Sequence, residues 1–580
     1  MDKRFFLALL LTAIVIITPP LFLNRGTRRP AATADSTSRA TARVDTTPAT
    51  EGAPGSAATS PSPITPSSQL GAALPIAPAE TTTVRTRLSR YAFSSQGAAA
   101  VSVVLDSYPS RRPTSGDPRS TGRGISREPS ELLPTQAALA RYSLALGRDT
   151  IALDTVPLRG ELKQGAAGTT VSYTGTLGGR SLALDYAVVP DSFLLRVTAN
   201  VVGAPAGSTL LIRLPRTLRS NEPDTLDDIN HLAVSYRLGS GDIESVNFSK
   251  LDSTTTRAET RPIHWVAARN KYFLVAYRAP AKAPFSAVQL RGGRRNNKIA
   301  NEVVAGAVLP LSADGRVSFD IYAGPQDFER LQKLGSDLDQ VNPYGGFMRG
   351  LVQPFAVIVM RVLLWIKRTT QLNYGWVLVL FGIIIRIALW PLQQSAMRTS
   401  LKMQRLQPEL QALQKRYSDD PRKQQEAIMK VYKDHGMSPL SPLMGCLPML
   451  LPMPILFALY FVFQNTIEFR GVPFLWLPDI SLKDPFYITP ILMGLSMFAT
   501  SWIGSRNMPP NPQAKMMMYM MPVMLTVFFL NLASGLNLYY AVQNVAALPQ
   551  QWLLARERAK EPTPAPVIRG MPAPAQKRRS

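Results

Sequence analysis

Arg386 stands near the middle of an apolar stretch, residues 374–392, that reads YGWVLVLFGIIIRIALWPL. A guanidinium keeps its proton in any protein setting. At the centre of a bilayer-spanning helix it costs roughly 2.5–3.5 kcal/mol even on the lenient insertion scale. Two arrangements meet that cost. Either the residue faces a water-filled cavity, or the span is short and the side chain snorkels to the interface. The apolar residues on both sides of Arg386 favour the cavity. The chemistry on offer there is attraction of anions by a charge that cannot be titrated away.

No other residue set offers competing chemistry. The single cysteine, Cys446, forms no internal disulfide and no thiolate cluster, and His231, His264 and His435 are too dispersed for a zinc motif. A nucleophile elbow, a phosphate-cradling loop and an HExxH segment are all missing from the sequence. An enzyme reading has no support, and no metal or cofactor is implied. The 580 residues are 46% hydrophobic with a net charge of +25, which suits a membrane setting with basic segments on one side.

The elements that must position Arg386 follow from composition. Residues 1–23 carry Lys3 and Arg4 ahead of FFLALLLTAIVIITPPLFL, long enough to cross a hydrocarbon core. The run closes on Pro19 and Pro20 without a small-x-small cleavage site, which favours a retained anchor over a cleaved signal peptide. Residues 24–83 are mostly Thr, Ala, Pro and Ser and bury too little apolar surface to offset ordering entropy, so they read as a disordered tether. Across 84–325 the pattern becomes short period-two runs, such as Leu182-Ala-Leu-Asp-Tyr186 and Phe193-Leu-Leu-Arg-Val197, bounded by Gly, Pro, Asn and Asp. That predicts one large antiparallel β-sandwich. The stretch 265–277 reads as a buried strand pair or a long strand, and no convergent charged cluster that would suggest catalysis is visible in the domain.

Residues 326–372 connect this domain to the rest, and within them 347–366 contains Arg349, Arg361 and Pro354, which fits an amphipathic interfacial helix better than a span. Apolar spans are then expected at 374–392, 443–463, 487–503, 516–532 and 536–553, the last two joined by Ala533-Ser534-Gly535 as a tight helical hairpin. They make a five-helix core over 373–554. Residues 396–437 carry a helical stripe of Leu406, Leu410, Leu413 and Tyr417, a break at Asp419-Asp420-Pro421, and a second stripe of Ile428, Val431 and Tyr432. This charged helical hairpin is either a solvated connector or a docking surface for a nascent chain, a ribosome or another partner.

Orientation follows from the loops. Residues 398–435 carry nine Lys or Arg against five acids, Arg506 and Lys515 flank a loop without acids, and the tail 555–580 ends QKRRS, whereas 464–486 is slightly acidic. The positive-inside rule puts the basic segments, and both termini, in the cytoplasm and the β domain outside. The basic, disordered tail suits ribosomal RNA and anionic lipids equally.

From residue 373 to 552 the chain resembles the YidC-type membrane protein insertase family (YidC/Oxa/Alb). The resemblance rests on Ile385-Arg386-Ile-Ala-Leu-Trp-Pro391-Leu392, Met403-Gln-Arg-Leu-Gln-Pro408, PLSPLMGCLPMLLPMPILFAL over 439–459, DPFYITPILMG over 484–494, and MPVMLTVFF over 521–529 leading to SGLNLYY at 534–540. Anchor, tether and outer β domain match the long Gram-negative-type form, with Trp265-Val-Ala and Tyr322-Ala-Gly-Pro325 as the main correspondences in the β domain. Gly382 stands where Thr is usual in that family, and Pro452 stands for Gln in the usual Gln-Met-Pro.

The resemblance implies a multi-pass protein of the bacterial inner membrane whose core encloses a hydrophilic groove with Arg386 at its heart. It implies an insertase and chaperone that draws in the hydrophilic tail of a newly made membrane protein and releases the apolar segment sideways into lipid. Carried over by position, the sliding surface would include Met453, Pro454, Pro522, Val523, Thr526 and Phe528. Gln543, with Asn544, Gln464 and Asn465, either lines the groove or bonds neighbouring helices. Implied partners are nascent membrane proteins, the bilayer, the Sec translocon and the ribosome, without DNA. The rival readings are a transporter or lipid-handling protein that binds a small anion at Arg386, and a periplasmic scaffold that the spans merely anchor.

Overall fold

The computed structural model describes residues 79–113, 126, 128–165, 168–254, 256–296, 299–342, 344–345, 349–418, 420–435, 453–506 and 512–560. The expected anchor, most of the tether, the first half of the expected span 443–463 and the basic tail beyond residue 560 lie outside them.

Among the described residues, strands from Thr81 to Pro325 form antiparallel sheets of four, nine and six strands with a two-stranded ribbon. Period-two patterning explains the pairing. Along Arg180–Val188 the residues Leu182, Leu184, Tyr186 and Val188 are buried while those between them are not. The centre of the nine-stranded sheet is different. Ile263–Arg269 and Phe273–Arg278 pair as a hairpin, with Trp265 opposite Arg278, and are covered on both faces. The 265–277 stretch is therefore a strand pair, and its nearly unbroken apolar run reflects burial on two sides. The three larger sheets share one core. Phe93 of the first lies 4.9 Å from the Tyr186 ring of the second, and the Tyr186 hydroxyl meets that of Tyr142, from the third, at 2.8 Å.

The β domain holds a buried charged cluster with a structural role. Helix α1 (Thr225–Asn230) is clamped to the 269–273 turn. Lys271 Nζ bonds Asp227 at 2.7 Å, and the Lys271 amide donates to Asp228 at 3.0 Å. Burial lifts the Asp228 carboxyl to about 7 and lowers His231 to about 4. These groups satisfy one another across more than forty residues of sequence, which is why no local motif announces them.

The chain leaves the β domain through α2 (Phe328–Leu334) and a pinned turn. Ser336 and Asp337 adopt positive φ, a conformation costly for residues other than glycine. Trp265 Nε1 donates to the Ser336 carbonyl at 2.7 Å and Arg237 pairs with Asp337 at 2.9 Å, which hold the turn in place.

Among the described residues seven longer helices follow: α3 (Arg349–Thr370), α4 (Tyr374–Arg416), α5 (Pro421–Asp434), α6 (Met453–Asn465), α7 (Ile488–Ser505), α8 (Pro512–Phe529) and α9 (Ser534–Lys560). Among the described residues two segments suffice by length and hydropathy to cross a membrane, Tyr374–Gln394 and Ile488–Ser505; the apolar parts of α6 and α8 are shorter. Helix α3 packs on α6 and buries one face, including Val352, Ala356 and Leu363, while Ile358 and Trp365 stay exposed.

Two expectations change in detail. The span and the first hairpin helix are one 43-residue helix, α4, uninterrupted at Pro391 or Pro408. At 1.5 Å per residue it is about 65 Å long, roughly twice the hydrocarbon thickness, and its second half packs against α5. There Leu406 meets Val431 and Tyr432 of α5, flanked by Leu410, Leu413 and Ile428, and Asp420 caps α5 through the amides of Arg422 and Lys423. Helices α8 and α9, in turn, meet mainly at their turn, where Asn537 Nδ2 donates to the Phe529 carbonyl at 3.2 Å. Beyond it each packs along α7 instead of along the other.

The segment between α6 and α7 is bound into the β domain. Arg470 pairs with Glu222 at 2.8 Å, Arg111 with Asp479 at 3.4 Å, and Ile467 belongs to the β-domain core.

Candidate functional site

Arg386 is positioned by the contact of α4 with α9. Gly382, one turn earlier, permits that contact, since a Cβ there would lie 3.1 Å from Val542 Cγ1. The bare backbone leaves its carbonyl open to a second donor, and Gln543 Nε2 bonds it at 2.7 Å. Phe381 packs against Tyr539 with ring centroids 5.7 Å apart. One turn along α4 from Gly382, and two turns along α9 from Gln543, Arg386 Nη2 donates to Gln550 Oε1 at 2.6 Å. Gln550 is fully buried, and its Nε2 donates onward to Gln394 Oε1 at 3.3 Å.

The electrostatics of this chain of amides are one-sided. Arg386 Nε is sealed from solvent and reaches no acceptor among the described residues, and no described carboxylate pairs with the guanidinium. The neighbouring Ile383, Ile384 and Ile387 are exposed, as an apolar surface facing lipid requires. A full positive charge is therefore held beside a neutral amide within the apolar first half of α4, and the arrangement can hold an anion.

Of the residues expected at the site, Arg386 and Gln543 come together on α4 and α9. The adjacent Asn544 turns to α7 and donates to Ser496 Oγ at 3.2 Å, so these two neighbours bond α9 to different helices. The expected sliding surface is less unified. The Met453 side chain lies outside the described residues, and Pro454 sits half-buried in the first turn of α6. On α8, Pro522 is buried, Val523 is 65% exposed, and Phe528 is half-buried beside Phe529. Thr526 Oγ1 bonds back to the Pro522 carbonyl at 2.7 Å and lies against Gly494 of α7. Among the described residues α6 and α8 do not pack along one another, so Pro454 and the α8 set are not joined.

Sequence reasoning missed Gln550 and Gln394. A usable signal existed: Gln543 and Gln550 are seven residues apart, which places two amides on one helical face.

A family described as 60Kd inner membrane protein matches residues 365–561, and one described as YidC periplasmic domain matches residues 81–358. The chain is 29% identical over 503 residues to the membrane protein insertase YidC of Chlorobaculum tepidum, covering 81% of each protein. It is 30% identical over 406 residues to that of Chlorobium luteolum, covering 66% of this chain and 68% of the relative. A crystal structure of an active YidC insertase with its first transmembrane domain resolved aligns at 18% identity and a TM-score of 0.33, over 82% of this chain and 95% of that one. With both the β-rich region and the helical region matched by families of one protein, and a relative aligned over two thirds of its length, this chain belongs to the YidC family of membrane protein insertases.

Proposed function

We propose that this insertase works by electrostatic capture at Arg386. The hydrophilic, acidic tail of a client is drawn into the space beside α4 and α9, which shortens its path through hydrocarbon, while the client's apolar segment moves out into lipid. Transferring polar groups across hydrocarbon is the costly part of insertion, and a positive, polar half-channel lowers that cost. Burial of about 20 apolar residues in the bilayer drives the step without a nucleotide. The observation that carries the reading is the Arg386 guanidinium, held by the neutral Gln550 with no described carboxylate to cancel its charge.

In this reading five core spans and an N-terminal anchor cross the inner membrane, with both termini and the α4–α5 hairpin cytoplasmic and the β domain periplasmic. The basic hairpin and tail approach the ribosome or anionic lipid, and the Sec translocon works beside the core for larger clients. The apolar surface on which the client slides comprises Met453, Pro454, Pro522, Val523, Thr526 and Phe528. Val523, outward-facing with Val527 on α8, supports this assignment best.

The test is insertion of a single-span protein with a short acidic tail into liposomes that contain only this chain, scored by protease protection of the tail. Protection without nucleotide that falls for Arg386→Ala is expected. Protection no greater than with empty liposomes, over several such clients, overturns the reading.

A further inference from the structure

Arginine presents carboxylates with a two-pronged edge, formed by Nε–H and the Nη2–H beside it. In this structure the two prongs are treated differently. Nη2 is engaged by Gln550 Oε1 at 2.6 Å, and Nε is buried with no acceptor among the described residues. Gln550 supplies one oxygen where the edge offers two donors. Its own Nε2 is tied to Gln394 Oε1 at 3.3 Å, and the residue is completely buried, so the amide is fixed with its oxygen toward the guanidinium.

We infer that Gln550 is a positioning residue that occupies, at rest, half of the site a client carboxylate takes on Arg386. This rests on the electrostatic capture proposed above and adds how the captured group is recognised and released. A client carboxylate matches both prongs and brings a charge, so it displaces the neutral amide. The amide is also the group that retakes Nη2 when the client leaves. A carboxylate at position 550 would neutralise the guanidinium permanently; a purely apolar side chain would leave the whole edge free. The choice of amide thus keeps the arginine oriented and partly hydrogen-bonded while leaving its charge available.

The test compares two single-span clients that differ only in the tail, one carrying Asp and Glu and the other the corresponding Asn and Gln. The readout is the ratio of their insertion into liposomes containing the full chain. Arg386→Ala brings the ratio toward one if capture is electrostatic; an unchanged ratio removes that reading and this inference with it. With Arg386→Ala behaving as stated, Gln550→Glu also brings the ratio toward one, and Gln550→Leu raises it above that of the unsubstituted chain. A Gln550→Glu protein that melts normally yet keeps the acidic preference overturns the inference and leaves capture standing. So does a Gln550→Leu protein whose preference falls, and that arm decides alone if Gln550→Glu does not fold.

Discussion

Arg470, between α6 and α7, pairs with Glu222 of the β domain at 2.8 Å, and the two side chains retain only 4% and 6% of their exposure. The guanidinium also lies 5.4 Å from the Phe273 ring centre, on the central hairpin of the nine-stranded sheet. A buried pair of this kind fixes how the β domain sits on the helices, because each charge is tolerable only with the other present.

Removing one partner is therefore worse than removing both. Glu222→Ala leaves a buried, unpaired guanidinium and is expected to destabilise the protein by roughly 3–5 kcal/mol. Glu222→Leu combined with Arg470→Met should cost clearly less than either single change. Thermal unfolding of the purified variants measures this; a double variant as unstable as the sum of the singles refutes it.

Glu468 gives the same junction a pH dependence. Its Oε1 accepts from the Phe328 amide at 3.2 Å, and its Oε2 is sealed without a partner among the described residues. Burial, reinforced by nearby Asp327, lifts its pKa from 4.5 to about 8. The folded protein thus keeps a proton that the unfolded chain has already released. Stability from this group is full below 4.5, declines as pH rises, and levels off above about 8. Glu468→Gln is expected to flatten the melting temperature across that window, and an unchanged slope would count against the assignment.

Gly494 sets the distance between α7 and α8, since a Cβ there would stand 2.0 Å from Thr526 Oγ1 and 3.2 Å from Thr526 Cβ. Gly494→Ala should cost about 1–3 kcal/mol by overpacking. Thr526→Ala in the same chain should recover most of it, as measured by thermal unfolding. Failure of the rescue would mean that the contact is not the limiting one.

Gly382 makes a related prediction about the site itself. Gly382→Thr pushes a side chain against Val542, whose Cγ1 lies 3.1 Å from a Cβ at that position. Insertion of the acidic-tailed client should fall for Gly382→Thr and recover when Val542→Ala is added. A single variant that inserts normally would show that α9 has room to shift.

What was legible in the sequence was whatever local periodicity and composition control. The alternation through Leu182, Leu184 and Tyr186 made a strand, the Asp420-Pro421 pair started α5, and an arginine amid apolar residues marked the candidate site, because burial and capping are dictated by neighbours a few positions away. Tertiary structure alone decided which partners those residues meet. Gln550 lies 164 residues from Arg386, and Glu222 lies 248 from Arg470. The charged Asp227–Lys271 cluster likewise closes over 44. Hydrogen bonds and ion pairs act over a few ångströms in space whatever the separation along the chain. Only the folding of helix on helix, and of the β domain onto the segment after α6, brings such groups within that range.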